Sequence, residues 1–405
     1  RFCQSGFDFS GRHFIVHVVG LPCDAPARAM VRSSKGYMGY YGCERCDQRG
    51  SYIKIPGDQR GKIAFLEYEE LNLRTDASFR SQTQPEHHHD IPSPLLHLDI
   101  DIIKSLPLDY MHCCCLGVMK KLLGIWTKGP VPFRAFRLSA TQIADTSKLL
   151  LSLRGHIPDC FARKPRGLEE LDRWKATELR QFLLYSGRFV LKDFLSVRLY
   201  EHFLALSAAM SILLSPNLVD EQLPLAKRLL KFFVAEGVAI YGQHFMVYNV
   251  HSLLHISDDA EHFGPLDNCS CFPFENYLGK LKRMVRNGKN PLGQVVRRLA
   301  ERDFDVIKPT LIKPKKKGEF YMLSATSCCE VISINDELIM CRIYDRLQSY
   351  LENDIISSSI VGWFLGHAMH SKILTLHACR LLQPAIAFFE KEGVLVVMAV
   401  IHKIV

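Results

Sequence analysis

The chain has 405 residues, and its 48% hydrophobic and 23% charged content excludes a disordered or collagen-like polymer and suffices for two or three domains' worth of core. Fourteen cysteines are too sparse for a disulfide-stapled mini-domain, and the longest wholly apolar run near the end, Gly393 to Ile401, is well short of the roughly 20 residues that a membrane span needs. No secretory leader opens the sequence, so reduced thiols in the nucleus, or alternatively the cytoplasm, are expected, and the start at Arg1 rather than Met reads as part of a longer protein.

In chain order, His13 to Gly20 is a β-branched and aromatic run closed by Gly20 and Pro22, which predicts a buried strand delivering Cys23 and Asp24 at its end. A helix is predicted from Ala25 to Val31, with Asp24 as N-cap and Pro26 in the first turn. Residues 34–62, rich in Gly, Tyr and Cys, read as a compact loop. Residues 65–90 turn polar and end in His87-His88-His89, with Pro92 and Pro94 marking a boundary. Beyond it, apolar residues at three and four spacing predict helices over 119–126, 140–153, 168–185, 196–214 and 221–241. Two more helices are predicted over 272–286 and 291–302, followed by a Lys-Pro-Lys-Lys-Lys linker and an apolar tail without clear pattern.

Three groups of residues carry chemistry. Cys43-Glu-Arg-Cys46 is half of a tetrahedral zinc site, and the other two ligands are open among His87, His88, His89, His97, His112 and Cys113 to Cys115. The alternative is a loop with two unligated thiols. His251 and His255 are one helical turn apart, but no Glu follows His251 as in a zinc protease, and they read as structural. Asp109 and His112 are three apart and read either as a ligand pair or as a pair fixing a helix start. Asp24 and Glu275 are carboxylates of the kind that hold a pair of Mg²⁺ ions for phosphoryl chemistry, although each also suits an ordinary first-turn or capping role. Finally, residues 275–317 hold thirteen Lys/Arg against four acids, an excess equal to the whole chain's formal +9. So local a positive charge suits a phosphate backbone, with a merely solvated face as the alternative.

Several motifs, in order, resemble the transposase-like proteins of CACTA-type (En/Spm) DNA transposons found in animal genomes. They are Cys23-Asp-Ala-Pro-Ala-Arg-Ala29, Gly39-Tyr-Tyr-Gly-Cys-Glu-Arg-Cys46, Pro107-Leu-Asp-Tyr-Met-His112, Arg163-Lys-Pro-Arg-Gly-Leu168, Tyr248-Asn-Val-His-Ser252 and Phe272-Pro-Phe-Glu-Asn-Tyr-Leu-Gly279. The resemblance implies an α/β fold, a partial ribonuclease-H-like core of the three-acid type interrupted by a large all-helical insertion. Its implied boundaries are 1–63 for core with the CxxC loop, 64–99 for a polar connector and 100–256 for the insertion. A return to the core follows at 257–305, then a basic linker and divergent tail at 306–405.

The resemblance further implies metal-dependent DNA strand cleavage and joining in the nucleus, with Mg²⁺ or Mn²⁺ as catalytic cofactor and zinc in a structural role. Asp24 matches the second catalytic acid and Glu275 the third, while the first has no match in these residues, which makes the chain catalytically incomplete as it stands. Lys280, Lys282, Arg283, Arg286, Arg297 and Arg298 are the expected DNA contacts, and Cys43, Cys46 and His112 the expected zinc ligands. Partners implied are transposon-end DNA and a second copy of the chain, with no membrane. A domesticated or decayed nucleic-acid-binding protein that does not cut is the alternative, and a zinc-stabilised interaction module a third reading.

Overall fold

Helix makes up 47% of the structure and strand 18%, so the mixed helix-and-sheet class holds, but most of the strand lies in the tail that the sequence left unpatterned. The computed structural model describes residues 5–54, 61–301, 314–335, 337–351, 357, 360–390 and 393–402. The chain divides into two units, Arg1–Leu151 with Pro165–Ser270, and Ser152–Lys164 with Cys271–Val405.

In the first unit the helix Ala25–Arg32 starts where predicted. Asp24 is extended (φ −69°, ψ 166°) and its Oδ1 accepts the Ala27 N–H at 2.8 Å, which satisfies one of the N–H groups that a helix start leaves open. The strand expected over 13–20 does not form. β1 (Phe7–Phe9) and β2 (Arg12–Phe14) make a short exposed hairpin, and past Phe14 no ladder continues among the described residues. β-Branched composition favours a strand only where a neighbour takes up its N–H and C=O groups. Here Leu21 reaches the Ser105 carbonyl at 2.7 Å and Cys23 bridges Leu108 in parallel, while Ile15 and Val19 stay exposed.

The expected loop 34–62 carries an antiparallel hairpin, β3 (Ser51–Ile53) with β4 (Lys62–Ala64). The polar connector holds a helix, Asp76–Arg80, opened by a reciprocal Thr75/Ser78 capping box. The helical stretch is present but differently cut. Residues 111–119 form a wide π-type helix that runs straight into Lys120–Lys128. The single helix expected over 168–185 is a 3₁₀ turn Leu168–Arg173, a short α-helix Ala176–Gln181 and a π turn Phe182–Ser186. Its break is at Trp174 and Lys175, both extended: the Trp174 indole donates to the Gly167 carbonyl at 3.2 Å and Glu178 accepts the Lys175 N–H at 2.8 Å. Capping chemistry inside an apolar 3.6 pattern thus overrides the periodicity.

Val197–Leu214 and Val219–Tyr241 pack along each other as the core of this unit, with Phe182, Phe203, Phe233 and Phe245 all fully buried. Val197–Leu214 is long and apolar enough, by length and composition, to cross a membrane, but 83% of it is buried inside the protein. At Gly237 an added Cβ would stand 2.4 Å from Phe245 Cε1 and 3.1 Å from His202 Nε2. Gly237→Ala gains about 1 kcal/mol of helix propensity but overpacks this contact. A net loss of about 1–2 kcal/mol in urea unfolding is the expected outcome, and a stabilised variant would contradict the packing described.

In the second unit, Phe272–Met284 and Pro291–Ala300 are helices as predicted. Part of the basic stretch, residues 302–313, lies outside the described residues. The tail is an eight-stranded, all-antiparallel curled sheet in the order β10-β7-β6-β5-β11-β12-β9-β8. Its strands are β5 (Phe320–Ser324), β6 (Ser327–Asn335), β7 (Leu338–Tyr344), β8 (Gln348–Ser349), β9 (Trp363–His367), β10 (Ser371–His377), β11 (Gln383–Phe389) and β12 (Val394–Ala399). Phe320, Met322 and Cys328 enter one core cluster while Tyr321, Cys329 and Val331 enter another. Successive side chains enter two separate core clusters, and even the exposed positions of β7 and β10 include the apolar Leu338, Met340, Ile373 and Leu374, so the strands carry no polar alternation to betray them.

Candidate metal centre

Cys43, Cys46, His251 and His255 come together in the first unit, all buried, with one ligand atom from each within 4.8 Å of every other. Cys43 Sγ lies 3.4 Å from Cys46 Sγ, 3.3 Å from His251 Nε2 and 3.8 Å from His255 Nε2. Cys46 Sγ is 3.3 Å from His251 Nε2, and the two imidazole Nε2 atoms are 3.3 Å apart. Arms of 2.0–2.3 Å from a central zinc span tetrahedral edges of about 3.3–3.8 Å, and these five edges agree. The sulfurs are too far apart for a disulfide, and every described cysteine is free. Two thiolates and two imidazoles are the donor set of a closed structural zinc site, with no position left for a substrate.

Local structure aims each ligand. The Cys43–Cys46 turn points the Arg45 and Cys46 N–H groups at Cys43 Sγ, at 3.5 and 3.4 Å, which favours thiolate. Burial pushes the Cys43 thiol up, but the hydrogen bond from Cys46 and the neighbouring imidazoles outweigh it and hold it well below its ordinary value. That bond and burial drive Cys46 the other way, so without a cation the two sulfurs share a proton that a metal would displace. His251 lies on the short helix Tyr248–Ser252, stacked on the Phe65 ring at 5.0 Å, and His255 closes the next turn. Phe65 is itself placed by its N–H bond to the Met246 carbonyl at 2.8 Å.

The two residues between the cysteines clamp this centre to the rest of the unit. Glu44 accepts Arg28 Nε at 2.9 Å and Arg28 Nη2 at 2.7 Å, together with Arg32 Nη1 and the Tyr248 hydroxyl. Burial would raise the Glu44 carboxyl, but Arg28 and Arg32 hold it down at about 2. Arg28 also donates to the Cys23 carbonyl at 2.6 Å, which ties the residue before Asp24 to the same network. Arg45 pairs with Asp259 at 2.6 Å, and Asp259 accepts the Leu108 N–H at 2.9 Å.

His251 and His255, read from the sequence as structural, are therefore the partners of the CxxC. His112 is not one of the four: its Nδ1 is 2.5 Å from Asp109 Oδ2, and Asp109 also accepts the Met111 and His112 N–H groups, so this pair sets a helix start. The other candidates are engaged elsewhere. His87 bonds the Tyr41 carbonyl, and burial, then Arg74, lowers it to about 4. His88 packs on Phe79, His89 lies 3.2 Å from Lys35 Nζ, His97 is exposed, and Cys113 to Cys115 are buried in the π-type helix with thiols raised by burial. The available signal was two half-motifs 205 residues apart, a Cys pair and a His pair each at turn spacing, whose sum is four ligands.

Asp24 belongs to the first unit and Glu275 to the second. Asp24 is half-buried and uses Oδ1 as helix cap, while its Oδ2 has no partner among the described residues. Glu275 is exposed in the first turn of its helix, and its carboxylate likewise has no partner there. Lys280, Arg283 and Arg298 line one polar cleft of about 330 Å³ with Met284 and Glu301. Lys282 and Arg286 are exposed nearby in sequence, and Arg297 pairs with Glu301 at 3.3 Å. No protein-family model, no curated protein and no solved structure matches this chain.

Proposed function

We propose that this chain is a transposase-derived protein in which a structural zinc stabilises part of a ribonuclease-H-like core, interrupted by a helical insertion, for metal-dependent DNA strand cleavage and joining. The observation that carries this reading is the clamp from the zinc-binding turn to the helix capped by Asp24: Glu44, between the two metal-binding cysteines, holds Arg28 and Arg32 of that helix. A centre built so close to an acid positions that acid's backbone without consuming its free oxygen. Mg²⁺ or Mn²⁺, at an acidic site to which Asp24 would contribute, would activate the attacking oxygen and stabilise the leaving one. The chain's own contribution is to hold Asp24 at its helix start and to present cations to the DNA backbone. The exposed Lys282, Arg283 and Arg286, and the cleft of Lys280, Arg283 and Arg298, supply that charge on two helices, one of which buries no side chain at all.

Two measurements test this. Replacing Lys282, Arg283 and Arg286 by Ala is expected to weaken duplex binding and to flatten the dependence of log K on log salt by about 2–3. In a version of the protein with an upstream acid restored, Asp24→Ala is expected to abolish Mn²⁺-dependent nicking of its terminal repeats while zinc content stays at one equivalent. Salt-sensitive binding with no nicking by the unsubstituted protein would favour the domesticated, non-cutting alternative. Binding indifferent to salt and to the three substitutions would end both readings.

A further inference from the structure

The first unit contains a cavity of about 790 Å³ between the CxxC loop, the β3–β4 hairpin and the π-type helix. Its volume is that of a small-molecule site and is far too small for a duplex. Tyr37, Tyr40 and Tyr52 line it, and all three are exposed rather than packed into the core. Exposed aromatic rings around one concavity are platforms for a flat ligand.

The charges in the lining have one sign. Lys62, Lys120 and Lys121 line the cavity and, among the described residues, no acid does. Lys121 Nζ sits over the Phe245 ring at 5.7 Å, and burial, then Lys62, lowers its pKa to about 8. Two ammonium groups that line one concavity make a place where an anion is stabilised by both. Arg49 lies over Tyr40, 5.6 Å from the ring centroid. Asn249 presents an amide, donor and acceptor together, to the same space. It fits there because residue 117 is glycine, where a Cβ would stand 2.4 Å from Asn249 Nδ2.

We infer that this cavity binds an unstacked nucleotide of a single DNA strand, its base between the tyrosines, its edge read by Asn249 and its phosphate on Lys62 and Lys121. An aliphatic ligand would not call for cations, and a simple anion would not call for three aromatic rings. The walls are held by the metal centre, since Asn249 is on the His251 helix and Tyr37 and Tyr40 precede Cys43. The inference rests on the nucleic-acid reading above only for the strand that carries the nucleotide. The pocket itself stands on its own residues.

The test uses the whole zinc-loaded chain and three probes: a labelled oligo-dT of about twelve nucleotides, an abasic strand of equal length, and free dTMP. The base-bearing strand is expected to bind about tenfold tighter than the abasic one, the worth of one stacked base. Tyr40→Ala and Tyr52→Ala are expected to bring that ratio close to one while Tyr→Phe at either position keeps it. Lys62→Ala should weaken both strands alike. These side chains are exposed, and unchanged zinc content and thermal unfolding confirm folding of each variant. Equal binding of the two strands, or a ratio that neither tyrosine variant moves, would overturn the inference, and dTMP binding as tightly as the strand would overturn the assignment to a strand. If duplex binding fails but the base-dependent ratio persists, the transposase reading falls and the pocket remains.

Discussion

Purified without chelator, the chain is expected to carry one equivalent of zinc, and His255→Ala to carry none and to destabilise the first unit. His255 gives the sharper test than either cysteine because the sequence assigns it no metal role, whereas the structure puts its Nε2 within 3.8 Å of Cys43 Sγ and 3.3 Å of His251 Nε2. Structural zinc contributes on the order of 10–16 kcal/mol in small zinc-folded peptides. The helical core of this unit bears part of its own stability, so a third of that, about 4 kcal/mol, is a conservative loss. At about 2–4 °C per kcal/mol for a unit of this size, Tm falls by about 8–16 °C. Elemental analysis with thermal unfolding checks it; a wild-type protein without zinc would remove the centre from the account.

Glu44→Gln is expected to cost about 3–5 kcal/mol, although it changes neither size nor a metal ligand. One carboxylate serves two fully buried guanidiniums. Burial works against both charges; Glu44 and Tyr248 keep Arg28 strongly basic, while burial leaves Arg32 at about 10, below its usual value but still charged at neutral pH. Removing the acid leaves both cations without a counter-charge in an apolar setting, the costly way to break a buried pair.

The same residue predicts an acid limit. Glu44 titrates near 4.5 when unfolded and at about 2 when folded, so its contribution is complete above pH 4.5 and is lost as pH falls towards 2. A difference of that size corresponds to roughly 3 kcal/mol. The stability gap between wild type and Glu44→Gln should therefore be constant above pH 4.5 and shrink below it. Acid strips zinc from both proteins alike, so urea unfolding of the pair across pH 2–6 isolates Glu44. A gap that does not change with pH would show that Glu44 is not held ionised by its arginines.

Local signals were legible wherever the residue acts on its own neighbours. Asp24 caps the helix that Pro26 helps to start, and the helices over 272–284 and 291–300 follow from Pro273, Pro291 and their periodicity. The CxxC was visible as half a site because its two sulfurs are one turn apart. What failed was any feature that needs a partner from elsewhere. The run from His13 to Gly20 has strand composition but no ladder past Phe14, and the sheet from Phe320 to Ala399 has ladders but, with apolar residues on both faces, no alternation. Glu44 and Arg45, to which the sequence assigns no role, hold Arg28, Arg32 and Asp259.

By itself, then, the sequence determined the helix starts at Ala25, Phe272 and Pro291, the reactive residue types and the placement of the entire excess charge within residues 275–317. Only the tertiary structure decided that a histidine pair 205 residues downstream completes the cysteine pair, and that Lys62, Lys121 and three tyrosines share one cavity. The physical reason is range. Capping and helical periodicity act over one turn of chain, whereas metal coordination, buried ion pairs and β-ladders are set by closure of long loops, whose partners a sequence does not name.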